Sequence, residues 1–281
     1  MKLIRDRAGM QRAARAERLA GRRIGFVPTM GAFHEGHLSL MRSARAAVDV
    51  VVVSIFVNPL QFGPDDDFHR YPRDEERDLE LARREGVDIV FAPSAVEEMY
   101  PSGHSTTVGV GRLGEVLEGE VRQGHFQGVC TVVAELFNIV EPDVAFFGQK
   151  DAQQVAVVKR MVADLYFEVE IVVCPTVRER DGLAMSSRNR YLDDGQRRHA
   201  TSLFKALRAG RELLEGGAGI DVVEKEMWDV MRAEEGVDPD YARAVDPDTF
   251  EAPRPGGPIV LAVAGRVGSA RLIDNLLLEA V

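Results

Sequence analysis

The chain has 281 residues, enough for one large domain or two of ordinary size at about 150 residues each. Hydrophobic residues at 45% and charged residues at 28% give the composition of a soluble globular protein and exclude a disordered, collagenous or membrane-spanning chain. A formal net charge of −10 excludes a broad electrostatic footprint for nucleic acid or anionic lipid, so any anion site must be local.

Residues 1–23, rich in Arg and Ala, read as a surface helix; Asp6, Glu17 and the lack of an apolar segment argue against a targeting peptide. Residues 23–27 then read as a short strand, 37–47 as a helix and the run VVVVSIFV, 50–57, as a strand buried on both faces. That run is far too short to cross a bilayer, which needs about 20 apolar residues. A helix at 79–85, a strand at 87–92, a helix at 130–140, a strand at 143–148, a helix at 153–165 and a strand at 168–175 continue the alternation. Repeated strand–helix units imply an open parallel sheet that binds ligands beyond the carboxyl ends of its strands. After Pro175 the pattern changes to two Gly-ended helices, 195–217 and 220–236, and three short strands, 239–245, 258–265 and 269–278. The expected fold is therefore α/β, with a Rossmann-like domain at 1–175 and a smaller α+β domain at 176–281. Cys130 and Cys174 form no CxxC, which argues against a disulfide framework or a cysteine metal site and fits a reducing cytoplasm.

Four segments carry chemistry. PTMGAFHEGH, residues 28–37, joins the first strand to the first helix. Gly31 and Gly36 let backbone approach a ligand, the helix N-terminus offers N–H groups to a phosphate, and His34 and His37, three apart, reach one bound group together. The plainer reading is a turn with two solvent-facing histidines, and its place at the end of a parallel strand weighs against that. HEGH is not a zinc motif, because HExxH needs its histidines four apart. Gly109, Gly111 and Gly114 spell GxGxxG mid-chain without the strand and helix that a dinucleotide site requires, so a surface turn is expected there.

In SIFVNPLQF, 54–62, Asn58 and Gln61 fall at the ligand edge of the buried strand; an Asn-Pro turn accounts for Asn58 but not for Gln61. In FFGQKDAQQ, 146–154, Gly148 turns the chain and Lys150, Asp151 and Gln154 open the next helix. Lys150 offers a point charge for phosphate, Asp151 an acceptor for ribose hydroxyls or a helix cap, and Gln154 a polar contact for a small substrate. In DGLAMSSRNRYL, 181–192, Ser186, Ser187 and Arg188 form a donor cluster suited to a polyphosphate, or else a Ser-rich linker with exposed arginines.

In this order and at these intervals the four segments, with YPR at 71–73 and GHFQGV at 124–129, resemble the pantoate–β-alanine ligase family of the nucleotidylyltransferase superfamily, from about residue 24 to the C-terminus. PTMGAFHEGH is similar to the HIGH signature of that superfamily and MSSR to its KMSKS loop. Gln149 stands where the family pattern is expected to carry Glu. The resemblance implies ATP-dependent condensation of (R)-pantoate with β-alanine through pantoyl adenylate, releasing pyrophosphate and then AMP. It implies catalytic roles for His37, as proton donor, His34 and Lys150. It further implies that Met30 and Gly31 line the nucleotide site, that His34, His37, Lys150, Ser186, Ser187 and Arg188 hold phosphates, and that Gly148 and Asp151 face the ribose. By the same resemblance Val177 and Met185 border the adenine, and Gln61 and Gln154 grip pantoate. ATP is the implied co-substrate and Mg²⁺ its companion, with no metal ligands assigned. Asp78 is a candidate Mg²⁺ contact, although a solvated charged helix face is the reading favoured for it. A cytoplasmic homodimer, with small-molecule substrates and neither nucleic acid nor membrane as partner, completes the expectation. The competing readings are an adenylyltransferase acting on another small acid or phosphate acceptor, and a nucleotide-sensing module that has lost the chemistry.

Overall fold

In the computed structural model residues 1–63 and 68–279 are described, and the chain divides into two units, Met1–Gly148 with Val157–Cys174, and Gln149–Ala156 with Pro175–Val281. The first unit is built on a six-stranded parallel sheet. Its elements are β1 (Lys2–Ile4), α1 (Arg7–Leu19), β2 (Ile24–Thr29), α2 (Glu35–Ala47), β3 (Val50–Ile55), α3 (Glu75–Arg84) and β4 (Ile89–Phe91). They are followed by the single turn α4 (Glu118–Val121), α5 (His125–Val140) and β5 (Val144–Gly148), then α6 (Ala152–Asp164), which belongs to this unit from Val157, and β6 (Glu170–Cys174).

The strand order is β1-β4-β3-β2-β5-β6. From β2 the chain builds outward through β3 and β4, then returns to add β5 on the other side of β2, so the direction of winding reverses between β2 and β5. In open parallel sheets the crevice at such a reversal, outside the strand carboxyl ends, is where ligands bind. Central β3 pairs with β2 in register from Ile24↔Val50 to Thr29↔Ile55, and Val50–Ser54 are all buried. A β-branched run tolerates this because both faces are covered. Val51, Val53, Val27 and Phe146 pack with Leu40, Met41 and Ala44 of α2, while Phe26, which points the other way by alternation, meets Phe137 of α5 edge-on at 6.4 Å.

Several elements differ from the sequence expectation. The N-terminal stretch is not all helix: residues 2–4 form an edge strand in parallel register with β4, from Lys2↔Ile89 to Ile4↔Phe91, and α1 starts after an Asp6 cap whose carboxylate accepts from Gly9 N at 2.7 Å. Three residues are too few for periodicity to show a strand, and only the open sheet edge gives them partners. Helix α3 begins at Glu75 rather than 79, because Asp74 caps it and the acidic first turn suits the helix dipole. Helix α5 begins at His125 rather than 130, after Gly124 at φ +78°. The GxGxxG stretch is a short 3-10 turn over Gly111–Gly114.

The second unit holds α7 (Asp194–Ala200), α8 (Ser202–Glu215), α9 (Ile220–Arg232) and an antiparallel sheet β7 (Val237–Val245), β8 (Ile259–Val267), β9 (Ala270–Leu278) in that order. Its core joins Leu203, Leu207, Met227 and Met231 of the helices to Leu261, Val263 and Leu272 of the strands. The expected single helix at 195–217 is two helices, broken at Thr201, whose backbone N–H and hydroxyl both donate to Arg198 O three residues back, at 3.2 and 2.7 Å.

One close approach explains part of GHFQGV. Gly128, in α5, lies against the 3-10 turn Pro59–Gln61 so tightly that a Cβ there would stand 2.1 Å from Leu60 O and 2.6 Å from Gln61 N. Backbone on both sides leaves nothing that can swing aside. Gly128→Ala is therefore expected to destabilise the fold by about 2–3 kcal/mol, an overpacking cost, read as a lowered denaturant midpoint; an unchanged midpoint would show that this contact is not tight.

Candidate active site

The segment 28–37 leaves β2 as a fixed loop. Thr29 Oγ1 donates to Ser54 O on β3 at 2.5 Å and accepts from Gly31 N at 3.1 Å. Gly31 (φ +82°) and Ala32 (φ +54°) then take left-handed backbone and turn two consecutive N–H groups toward α3. The Asp78 carboxylate receives them: Oδ2 accepts from Ala32 N and Oδ1 from Phe33 N, each at 2.7 Å. A Cβ on Gly31 would stand 2.8 Å from Asp78 Oδ2, so this glycine is needed for space as well as for its backbone angle. Asp78 is only 2% exposed, which overturns the solvated-face reading. Its carboxylate is committed to the loop backbone, and the charge-assisted bonds are the strong kind.

His34 is the N-cap of α2: its Nδ1 accepts from Gly36 N at 3.2 Å, and His37 Nδ1 accepts from His34 N at 3.4 Å. The rings lie 4.2 Å apart, and His37 also packs on Phe33 at 5.6 Å. Because both rings accept at Nδ1, the neutral form of each carries its proton on Nε2 and offers a donor at a helix N-terminus, a combination suited to phosphate oxygens.

Gln61 is held from three sides. Asn58, 1% exposed, donates from Nδ2 to Gln61 Oε1 at 3.1 Å and to Gly128 O at 3.0 Å, while its Oδ1 accepts from Leu60 N at 3.2 Å and from the Tyr100 hydroxyl at 2.7 Å. The two backbone partners settle the orientation of the Asn58 amide. Gln61 therefore keeps its oxygen toward Asn58 and its Nε2 toward Met30 Sδ, 3.0 Å away. His125 Nδ1 donates to Gln61 O at 2.8 Å and Arg122 adds a 3.3 Å bond to the same carbonyl, which accounts for the histidine of GHFQGV. Burial, then the Glu135 charge, pushes the Tyr100 pKa up, so the hydroxyl stays a donor. Neither thiol enters this chemistry: both are free and buried, and burial pushes Cys130 up to about 12 and raises Cys174.

In the second unit Gln149–Asp151 form a 3-10 turn leading into α6. Lys150 Nζ lies 3.3 Å from Asp151 Oδ1, so the cation and its neighbour are paired. Gln154 follows in the first turn of α6, half-buried. Val177 and Met185 are brought together by a hairpin in which Met185 N donates to Val177 O at 3.0 Å and Arg178 bridges Ala184. Ser186 caps the 3-10 turn Ser187–Tyr191, its Oγ accepting from Arg188 N at 3.3 Å. In the first unit, Gly148 ends β5. Sequence reasoning passed over three groups that shape these segments: Tyr100, Asp78 as a backbone holder, and the Asp274–Asn275 pair of β9. For the last pair a signal was present, since two polar residues in succession interrupt the apolar strand ARLIDNLLL.

A family model for pantoate-beta-alanine ligase matches residues 2–277. The chain belongs to the pantoate–β-alanine ligase family. The pantothenate synthetase of Moorella thermoacetica is 55% identical over 281 residues, covering 99% of each chain, and that of Caldicellulosiruptor bescii is 52% identical over 96% of each. Among solved structures, the pantothenate synthetase of Thermus thermophilus matches with a TM-score of 0.92 at 49% identity, covering 98% of this chain and 99% of that one. The pantoate-β-alanine ligase of Francisella tularensis, complexed with βγ-ATP and β-alanine, matches at TM-score 0.82 and 32% identity over 99% and 97%. For a pantoate–β-alanine ligase with this loop, Asp78→Asn keeps side-chain volume but sets an amide N–H₂ against a backbone donor. Loss of one charge-assisted bond predicts a fall in ligase turnover of about tenfold to a hundredfold with the sheet intact, measured by steady-state kinetics beside circular dichroism; wild-type turnover would refute this role of Asp78.

Proposed function

We propose that the chain joins (R)-pantoate to β-alanine in two half-reactions, a reading supported by family membership across residues 2–277 and carried by one observation, the backbone-locked His34–His37 pair at the N-terminus of α2. In the first half-reaction a pantoate carboxylate oxygen bonds to the α-phosphorus of ATP and the bond to the pyrophosphate oxygen breaks. In the second the β-alanine nitrogen bonds to the acyl carbon, the bond to AMP breaks, and the amine proton goes to solvent. The amide-forming ligase activity belongs to the family; the residue roles are our reading.

The difficulty of the first step is that two anions must meet and negative charge must spread onto the leaving phosphates. Donors fixed in advance lower that barrier because they need no reorganisation at the moment of reaction. On the first unit these are the Nε2 donors of His34 and His37, with His37 as proton donor to the leaving phosphate. Met30 and Gly31 line the nucleotide there. Gln61, with its oxygen held by Asn58, presents N–H donors to the oxygens of pantoate. On the second unit Lys150, Ser186, Ser187 and Arg188 hold phosphates, and Val177 and Met185, joined by their hairpin, border the adenine. In this reading Asp151 and Gly148 are assigned to the ribose and Gln154 to pantoate. For the amine step positioning on an activated acyl group suffices.

Mg²⁺ accompanies ATP in this reading and supplies charge neutralisation at the phosphates. Among the described residues no three His, Cys, Asp or Glu side chains converge to hold a metal ion, and Mg²⁺ would arrive with ATP rather than in an all-protein cage. No helix among the described residues is long and apolar enough to cross a membrane. We infer a cytoplasmic homodimer, supported by the resemblance and, for the compartment, by two unpaired thiols. The alternative adenylyltransferase reading is not favoured, because relatives sharing more than half of their residues with this chain are pantothenate synthetases.

Single-turnover incubation with ATP, Mg²⁺ and (R)-pantoate is expected to release pyrophosphate and leave enzyme-bound pantoyl adenylate. Addition of β-alanine then yields AMP and pantothenate. His37→Ala should slow pyrophosphate release by about 10²–10⁴-fold, the usual range for a lost acid catalyst, while circular dichroism shows a native fold. Pyrophosphate release at the wild-type rate by folded His37→Ala would refute its assigned role.

A further inference from the structure

Lys150 is useful to a phosphate only if the short turn that carries it is held in place, and the group that holds it lies more than a hundred residues away in sequence. Asn275, on β9 and 4% exposed, donates from Nδ2 to Gln149 O and to Lys150 O, each at 2.9 Å, and accepts from Gln149 Nε2 at 3.1 Å. One buried amide thus binds two successive carbonyls of the turn and the side chain that precedes Lys150.

Asn275 is itself fixed. Its N–H donates to Asp274 Oδ1 at 2.8 Å and its carbonyl accepts from Arg178 at 3.2 Å. Asp274, 3% exposed, and Arg178 form a two-pronged ion pair at 2.6 and 2.9 Å. The Arg178 guanidinium also lies 4.0 Å from the centroid of the Phe204 ring and donates to Gly182 O at 3.0 Å. Such a planar fork on an aromatic face is a rigid arrangement that a lysine would not reproduce. Arg178 follows Val177 in the hairpin, so the same pair on β9 ties the Lys150 turn and the Val177–Met185 hairpin to one strand.

We propose that Asn275 is a positioning residue for nucleotide binding: by clasping the Gln149 and Lys150 carbonyls it sets where the Lys150 ammonium points, with Asp274 and Arg178 holding the clasp. The proposal rests on the reading of Lys150 as a phosphate ligand. It also gives Gln149 a place, since its amide supplies the third bond of the clasp while the two carbonyl bonds are made without its side chain.

The test compares Asn275→Ala, Asn275→Asp and Lys150→Ala in the full-length enzyme, measuring melting temperature, the KM values for ATP, pantoate and β-alanine, and pyrophosphate release. Asn275→Asp keeps the side-chain volume and removes both donors, so it reports on the clasp even if the alanine variant folds poorly. The expected result is an ATP KM raised about tenfold or more in both Asn275 variants, the loss of hydrogen bonds to two carbonyls, with the KM for β-alanine within twofold of wild type. A residue that merely supports the sheet would not single out ATP. An unchanged ATP KM in a folded Asn275 variant, beside a crippled Lys150→Ala, overturns the positioning role alone. Full pyrophosphate release by Lys150→Ala overturns the reading of Lys150, and the proposal with it.

Discussion

The Asp78 carboxylate is the fixed point on which the loop of the candidate site in the first unit depends. A loop that leaves a parallel strand through two left-handed residues has backbone donors that the sheet cannot satisfy, and buried unpaired N–H groups are costly. Asp78 takes two of them, at Ala32 and Phe33, from a helix more than forty residues downstream. With the loop held there and by Thr29 and Ser54, His34 can cap α2 and His37 can close back on the cap. Backbone bonds to both Nδ1 atoms hold the two imidazoles side by side at the start of α2. Preorganisation of this kind is what electrostatic catalysis requires.

The second unit meets the same need in a similar way. There the turn bearing Lys150 is held by the amide of Asn275, with Asp274 and Arg178 behind it. In both units a buried polar side chain on a distant element grips main chain instead of ligand. Gln61 belongs to the same class of arrangement, because Asn58, Tyr100 and His125 decide which end of its amide faces outward and where its backbone sits. Of the groups that aim the candidate ligands, Asp78, Tyr100, His125 and Asn275 lie tens of residues or more away along the chain, while Asn58 is a near neighbour of Gln61.

Much of this was legible in the residues. The alternation of strand and helix to Pro175 predicts the parallel sheet, and three of the four motifs fall at its strand ends, where such a sheet binds ligands. What escaped were features whose cause is not local. Three residues at the N-terminus carry no strand periodicity, and β1 exists because the edge of β4 is open to it. Asp78 sits among Glu75, Glu76 and Arg77, so the charge pattern points to a solvated face; its burial follows from where α3 docks. The break at Thr201 leaves the helical periodicity of the stretch intact, and it shows only in the bonds that the Thr201 N–H and hydroxyl make to Arg198 O.

The sequence by itself determined the class of fold, the family and which segments are candidates for the chemistry, because apolar periodicity and motif spacing are properties of neighbours along the chain. Only the tertiary structure decided how those segments are held: that Gly128 is small because Leu60 backbone lies against it, that Asp78 faces inward, and that Asn275 grips the Lys150 turn. Each of these is a contact between residues tens to more than a hundred positions apart. Hydrogen bonds and close packing act over a few ångströms in space, whatever the separation in sequence, so the partner becomes visible only when the chain has folded.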